Sequence, residues 1–191
     1  MASNPLINRG SKSGALLAII AAAATGIYTF TGDFEGTKYK AYKDPIGKWT
    51  ICKGHTKDVF MGQVATEKDC LKFYEQDMQE AMFQAIAVTP TLVKNTNALK
   101  AAGDFTFNAG IGSYKRSPMA AYFAKEDWVN GCNAFVNYYN NGSYLSRQPG
   151  MKCKFSEAKN KWLCELPGLT RRRLGEKKIC LGLEEPTPDL K

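Results

Sequence analysis

The chain has 191 residues, 44% of them hydrophobic and 12% aromatic, and a formal net charge of +8 at pH 7. That length and apolar share exclude a disordered chain and suit one domain with a short appendage. Lys and Arg number 26 against 18 Asp and Glu, an excess that favours an anionic partner, for which nucleic acid, anionic lipid and bacterial wall polymer all qualify.

In chain order, Arg9 and Lys12 precede GALLAIIAAAATGIYTFT, residues 14–31, an uncharged run of 18 residues. This is about the shortest length that crosses a hydrocarbon core as a helix. Six alanines, two glycines and three threonines leave seven larger apolar or aromatic residues, so insertion energies of a few tenths of a kcal/mol per residue sum to about zero. The segment enters a membrane but is held there weakly. Four readings fit it: a signal peptide cleaved near Ala24, a permanent anchor, a buried helix of a cytoplasmic protein, and a provisional anchor that later leaves the bilayer. Marginal hydrophobicity favours the last, which divides the chain into a membrane segment, residues 1–32, and a body, residues 33–191.

Residues 34–56 read FEGTKYKAYKDPIGKWTICKGHT. From residue 36 to 56, Gly, Lys, Tyr and Thr, with turn signals at Asp44-Pro45 and Gly47, predict short strands or a hairpin. Thr66 and Asp69 resemble an N-cap with an acidic first turn, and Cys70, Leu71, Tyr74, Met78, Met82, Ala85 and Ile86 then repeat at helical spacing, up to a stop before Pro90. Further helices are expected at 95–107, at 118–125 with Ser117 as cap and Pro118 in the first position, and at 126–139. The last places Trp128, Val129, Cys132, Phe135, Val136 and Tyr139 on one stripe, a core face by default. Residues 140–168 are loop-like, a final helix is expected at 169–183, and EEPTPDLK closes the chain.

Six cysteines stand at 52, 70, 132, 153, 164 and 180, none in a CxxC pair or at zinc-site spacing with the single histidine, His55. A metal site is therefore not expected, and an even count in an exported chain suits three disulfides. Cys153 and Cys164 flank one short segment and are expected to pair. Cys52 with Cys70 would tie the first strands to the first body helix, and Cys132 with Cys180 would join two later helices.

Glu35 and Asp44 offer a chemistry. Hydrolysis of a glycosidic bond needs a proton donor for the leaving oxygen and, in inverting enzymes, a second carboxylate that activates water on the opposite face of the sugar. A carboxyl at a helix end and another in a strand turn can face each other across a cleft, and the Thr50 hydroxyl can hold the water. Among 18 acids, spacing alone singles out little.

The pattern gains weight from its setting. Glu35, Asp44 and Thr50 within YKDPIGKWTICKGHT resemble the catalytic segment of the phage-type lysozymes, glycoside hydrolase family 24. FTFNAGIGSY, residues 105–114, is similar to that family's second cleft segment, and PGLTRRRLGEKKIC, residues 167–180, to its C-terminal helix, with Arg172, Arg173 and Glu176 at matching positions. The resemblance implies an α+β, lysozyme-like fold, a small β-hairpin lobe plus a mainly helical lobe, preceded by a weakly hydrophobic N-terminal helix. It implies hydrolysis of the β-1,4 bond between N-acetylmuramic acid and N-acetylglucosamine, with inversion. Glu35 would be the general acid, its pKa raised by desolvation, Asp44 the ionised base and Thr50 the residue that positions water. Asn108 and Gly110 would contact substrate. No cofactor is implied, and the partner is peptidoglycan rather than nucleic acid, bound by a monomer.

Cys52 stands where many members have glycine, and 140–168 is longer than the usual connection. The Ala- and Gly-rich N-terminus resembles the secreted endolysins with a signal-anchor-release segment. That subgroup implies an inactive enzyme tethered to the host inner membrane by its N-terminal helix, then released, active, into the periplasm. His55 is expected to be structural. Two other functions stay open: a lytic transglycosylase, which needs one glutamate and no water-holding Asp and Thr, and a cationic membrane-disrupting or wall-binding protein without catalysis.

Overall fold

The structure, a computed structural model, describes residues 12–44, 47–140, 153–157, 161–164 and 167–183. Arg9, Pro45, Asn141, Gly142, Pro149, Gly150 and the EEPTPDLK tail lie outside the described residues, as do the side chains of Glu35 and Tyr139. Two helices, α1 (Lys12–Thr25) and α2 (Tyr28–Glu35), lead into an antiparallel hairpin of β1 (Lys38–Lys43) and β2 (Trp49–Cys52). Then come α3 (Glu67–Val88), a 3₁₀ turn at Pro90–Lys94, α4 (Thr96–Ala109), α5 (Ile111–Lys115), α6 (Pro118–Ala124) and α7 (Trp128–Asn140). A second antiparallel hairpin, β3 (Cys153–Ser156) and β4 (Lys161–Cys164), precedes α8 (Pro167–Cys180).

Local chemistry accounts for the helix ends. Thr66 and Asp69 form a reciprocal capping box at the start of α3, so two otherwise orphaned N–H groups are satisfied. The helix stops before Pro90, which disfavours helical backbone at Thr89. Asn95 accepts from the Ala98 N–H at 3.0 Å to start α4. Ser117 accepts from the Ala120 N–H at 3.2 Å ahead of Pro118 to start α6. The helices enclose one core around Met78, Met82, Leu92, Leu99, Phe105, Tyr114, Phe123 and Phe135, while a smaller cluster of Ile51, Cys52, Ala65 and Cys70 seats the first hairpin on α3.

The uncharged run 14–31 is not one helix. It breaks at Gly26-Ile27 into α1 and α2, and α1, at 14 residues, spans only about 21 Å. Among the described residues no helix is long and apolar enough to cross a membrane. Instead Ile20, Ala23, Ala24, Ile27 and Phe30 are buried in the main core, with Leu16 and Ile19 packed against it. The break at Gly26 lets the chain turn so that both short helices lay their apolar faces on the same core. Leu17, about 100° around the helix from Leu16, stays largely exposed. The division after residue 32 falls inside α2.

Three expectations are corrected by packing. Leu71 and Val129 lie on exposed faces of their helices, although each is next to a buried stripe. The 140–168 stretch carries a hairpin, with Cys153 opposite Cys164 and Ser156 opposite Lys161. A short hairpin is marginal by propensity alone, so the Asn, Gly and Pro around it dominate the composition, and only the cross-strand cysteines report the pairing. Cys153 is disulfide-bonded.

Disulfides join Cys52 to Cys70 and Cys132 to Cys180, with Cα atoms 5.2 and 5.5 Å apart. The first fastens β2 to α3 and the second α7 to α8. Cys52 has φ +57°, the left-handed region that favours glycine, at a cost of about 1–2 kcal/mol. The cross-link offsets that cost. With the bonded cysteines 18 and 48 positions apart in sequence, chain-entropy estimates are about 3 and about 4 kcal/mol. Replacing Cys132 and Cys180 together by serine should therefore lower unfolding free energy by about 4 kcal/mol, and Cys52 with Cys70 by less, as denaturant titration of the oxidised proteins will show.

Candidate active site

The residues expected to act on substrate come from consecutive elements. Glu35 is the last residue of α2, ahead of Gly36 at φ +63°. Asp44 follows β1 and closes the hairpin turn: its N–H donates to the Lys48 carbonyl at 2.9 Å, and its Oδ1 accepts from the Lys48 N–H at 2.8 Å. Thr50 is buried in β2 and donates to the same Lys48 carbonyl at 3.2 Å. Asp44 and Thr50 are thus both held on Lys48, and the short connection Gly36-Thr37 brings the hairpin directly after the α2 terminus.

What holds α2 is a buried polar cluster. Thr31, one turn before Glu35, donates to Asp104 Oδ1 at 2.6 Å and accepts from the Tyr74 hydroxyl at 3.3 Å. Arg172 grips the same Asp104 through Nε at 2.8 Å and Nη2 at 2.9 Å. Arg173 reaches Glu176 at 2.6 Å and donates to Asn108 Oδ1 at 2.9 Å, with its guanidinium 4.5 Å from the Phe105 ring centre. Asp104, Arg172, Arg173 and Glu176 are all buried. Where α8 meets α2 there is no room for a side chain: a Cβ at Gly175 would stand 2.2 Å from the Phe30 ring.

Asn108 also lines a cleft of about 340 Å³ with Gly54, Thr56, Lys57, Asp77, Glu80 and Phe107. It therefore touches both the buried cluster and the open groove. Gly110, at φ +78°, is the exposed corner between α4 and α5. His55 is tied to α3. Its ring stacks on Phe73 at 4.3 Å and its Nδ1 lies 2.7 Å from Asp77, so it clamps the hairpin lobe to α3. Burial holds the Asp77 carboxyl above its ordinary range, with the His55 bond offsetting only part of the rise. Among the described residues no three His, Cys, Asp or Glu side chains are grouped to hold a metal.

Thr31 and Asp104 escaped the sequence reading. Asp104 had a signal: it is the one charge on the buried stripe Ala98, Ala101, Ala102, Phe105, and a charge on a core stripe needs a partner. Thr31 had none, because a threonine in an apolar run is ordinary.

The cluster contains two adjacent carboxyls that cannot both ionise cheaply. Asp104 keeps its charge, because the favourable interactions with Arg172 and Thr31 outweigh burial and hold its pKa below the ordinary 3.8. Burial, with Asp104 adding to the push, raises Glu176 well above its ordinary 4.5, against Arg173. Between pH 4.5 and the raised value, folded Glu176 holds a proton that the unfolded chain has released. Its stabilisation is therefore complete below pH 4.5 and is lost as pH rises through the folded value. For Asp104 the sign reverses, and stability is lost as pH falls below 3.8. Thermal melts across pH should show Glu176→Gln with a weaker loss of stability on the alkaline side than the unaltered chain, and an unchanged slope would contradict a neutral Glu176.

Comparison with known proteins follows the same lines. A model described as phage lysozyme matches residues 32–176. The SAR-endolysin of Bacteriophage PS34 is 29% identical over 139 residues, 70% of this chain and 81% of the relative. The muramidase domain of SpmX from Asticaccaulis excentricus superposes with a TM-score of 0.63 at 21% identity, covering 84% of this chain and 95% of that one. The active form of P1 phage endolysin Lyz gives 0.61 at 21% identity, covering 89% and 93%.

Proposed function

Since the chain belongs to the phage lysozyme family and is a glycoside hydrolase with the lysozyme-like fold, we propose that it is an endolysin hydrolysing the β-1,4 bond between N-acetylmuramic acid and N-acetylglucosamine of bacterial peptidoglycan. Glu35 gives its proton to the leaving glycosidic oxygen. Asp44 takes a proton from the attacking water, and Thr50 orients that water, so the sugar inverts. Asn108 and Gly110 line the path of the glycan. The observation that carries this reading is the joint anchoring of Asp44 and Thr50 on Lys48, directly after the helix that ends in Glu35. A transglycosylase has no use for a paired Asp and Thr.

Glu35→Gln should lower turnover on purified peptidoglycan by about 10²–10⁴-fold, and Asp44→Asn should be severely impaired as well. Both should melt at nearly the unaltered temperature. Near-normal rates in either folded variant would refute the assignment, an anhydro sugar product would favour transglycosylation, and lysis surviving Glu35→Gln would favour a non-catalytic wall disruptor.

Control lies in the N-terminal segment. Arg9 and Lys12 hold the N-terminus in the cytoplasm while residues 14–31 rest in the host inner membrane, with the body in the periplasm. In that state Thr31 and Phe30 are withheld from Asp104 and Gly175, and α2 is not docked. Weak hydrophobicity lets the segment leave, and its apolar face then completes the core of a monomeric, active enzyme. The segment contains no cysteine, so docking rather than thiol exchange is the switch. Gly14 has open space around it and Thr25 is exposed, whereas a Cβ at Gly26 would meet Lys100 at 3.0 Å. Gly14→Leu with Thr25→Leu therefore strengthens the anchor without disturbing the folded enzyme. That variant should stay in the membrane fraction and lyse cells later. Unchanged release, or a mature N-terminus near residue 25, would rule the tether out.

A further inference from the structure

Three of the most exposed large apolar residues sit within five positions. Phe60, Met61 and Val64 are 63%, 76% and 70% exposed. They are displayed by a fixed turn: the Gln63 N–H donates to the Phe60 carbonyl at 3.3 Å, and Gln63 Oε1 accepts from the Phe60 N–H at 3.2 Å. Gly62, at φ +82°, supplies the left-handed third position. The segment after the turn adds an edge to the hairpin, where Ala41 donates to the Gln63 carbonyl, Ala65 donates to the Tyr39 carbonyl, and Lys40 stands opposite Val64. Antiparallel pairing directs the turn toward the Lys43 end of β1. Residues 36–64 carry six lysines against Asp44 and Asp58, and Lys38, Lys40, Lys43, Lys48 and Lys57 are exposed.

We propose that the Phe60–Gln63 turn, with Val64 and the lysines of β1, is a docking surface for an anionic lipid bilayer. Three apolar side chains on one turn are too few for a protein interface, which buries about 1,200–2,000 Å². They suit a bilayer, which yields around a shallow apolar tip while flanking lysines reach lipid phosphates and lay their stems along the interface. β1 begins three residues after α2, and the apolar turn lies toward the other end of that strand. The surface uses no residue of the cleft. It keeps the released enzyme at the membrane face, and it stands whether or not the tether reading holds.

The test uses the full chain, the Phe60→Ser/Met61→Ser variant, and Lys40→Gln and Lys43→Gln, all with the same N-terminus. Each is sedimented with vesicles of mixed phosphatidylglycerol and phosphatidylcholine and with phosphatidylcholine alone. The unaltered chain should prefer the mixed vesicles. Phe60→Ser/Met61→Ser should weaken that binding at least about tenfold, and each lysine change should weaken it about fivefold. Hydrolysis of soluble glycan fragments by Phe60→Ser/Met61→Ser should stay unchanged. Phe60→Trp should add a blue-shifted emission only with anionic vesicles, a direct report from the turn that an inserting N-terminal helix does not give. Equal vesicle binding by the double serine variant, or no shift from Phe60→Trp, would overturn the proposal. So would loss of binding to insoluble peptidoglycan with vesicle binding intact, which makes the turn a wall contact, or a dimer that the double serine variant dissociates.

Discussion

The bond between Thr31 and the Asp104–Arg172 pair is the contact on which the rest depends. Two buried guanidinium groups and two buried carboxyls are costly to remove from water, and each is tolerable only because it faces a partner. Asp104 comes from α4, Arg172, Arg173 and Glu176 from α8, Thr31 from α2 and Tyr74 from α3. One polar knot therefore joins four helices, among them the one that ends in Glu35. Removing Asp104 or Arg172 strands its partner's buried charge, at about 3–5 kcal/mol.

The hairpin lobe is held by a different set of contacts. Its attachments to α3 are the Cys52–Cys70 disulfide and the His55 clamp on Asp77 and Phe73. Lys53 adds a contact to α2, with its ammonium 4.1 Å from the Tyr28 ring centre. The lobe is too small to own a core, since its buried cluster amounts to a few residues, and a covalent link does what packing cannot. Cys52 serves both ends of that arrangement, accepting a left-handed backbone and providing the cross-link.

The N-terminal segment has a composition suited to two environments. A strongly apolar helix would remain in lipid and a polar one would never enter it. Residues 14–31 sit between, and the same Ile20, Ile27 and Phe30 that suit a bilayer fill the core here. Thr31 belongs to that segment as well. Its hydroxyl lies within bonding reach of both the Ile27 carbonyl of its own helix and Asp104. At Gly26 the run divides into two short helices.

The sequence by itself determined the positions of α3, α4, α6, α7 and α8, the capping residues and the pattern Glu35, Asp44, Thr50, because caps, periodicity and motif spacing are local properties. It also pointed to Arg172, Arg173 and Glu176, through their resemblance to the C-terminal helix of the family. Which neighbours those charges would meet was decided by the tertiary structure alone, since Asp104, Arg172 and Thr31 are far apart along the chain and become partners only when α2, α4 and α8 converge. The second hairpin was hidden for a related reason: its strands are too short to show a period, and only the register of Cys153 against Cys164 reveals them. The break at Gly26 was equally out of reach, because an uncharged run reads as one helix until a core with room for two short ones is built beside it.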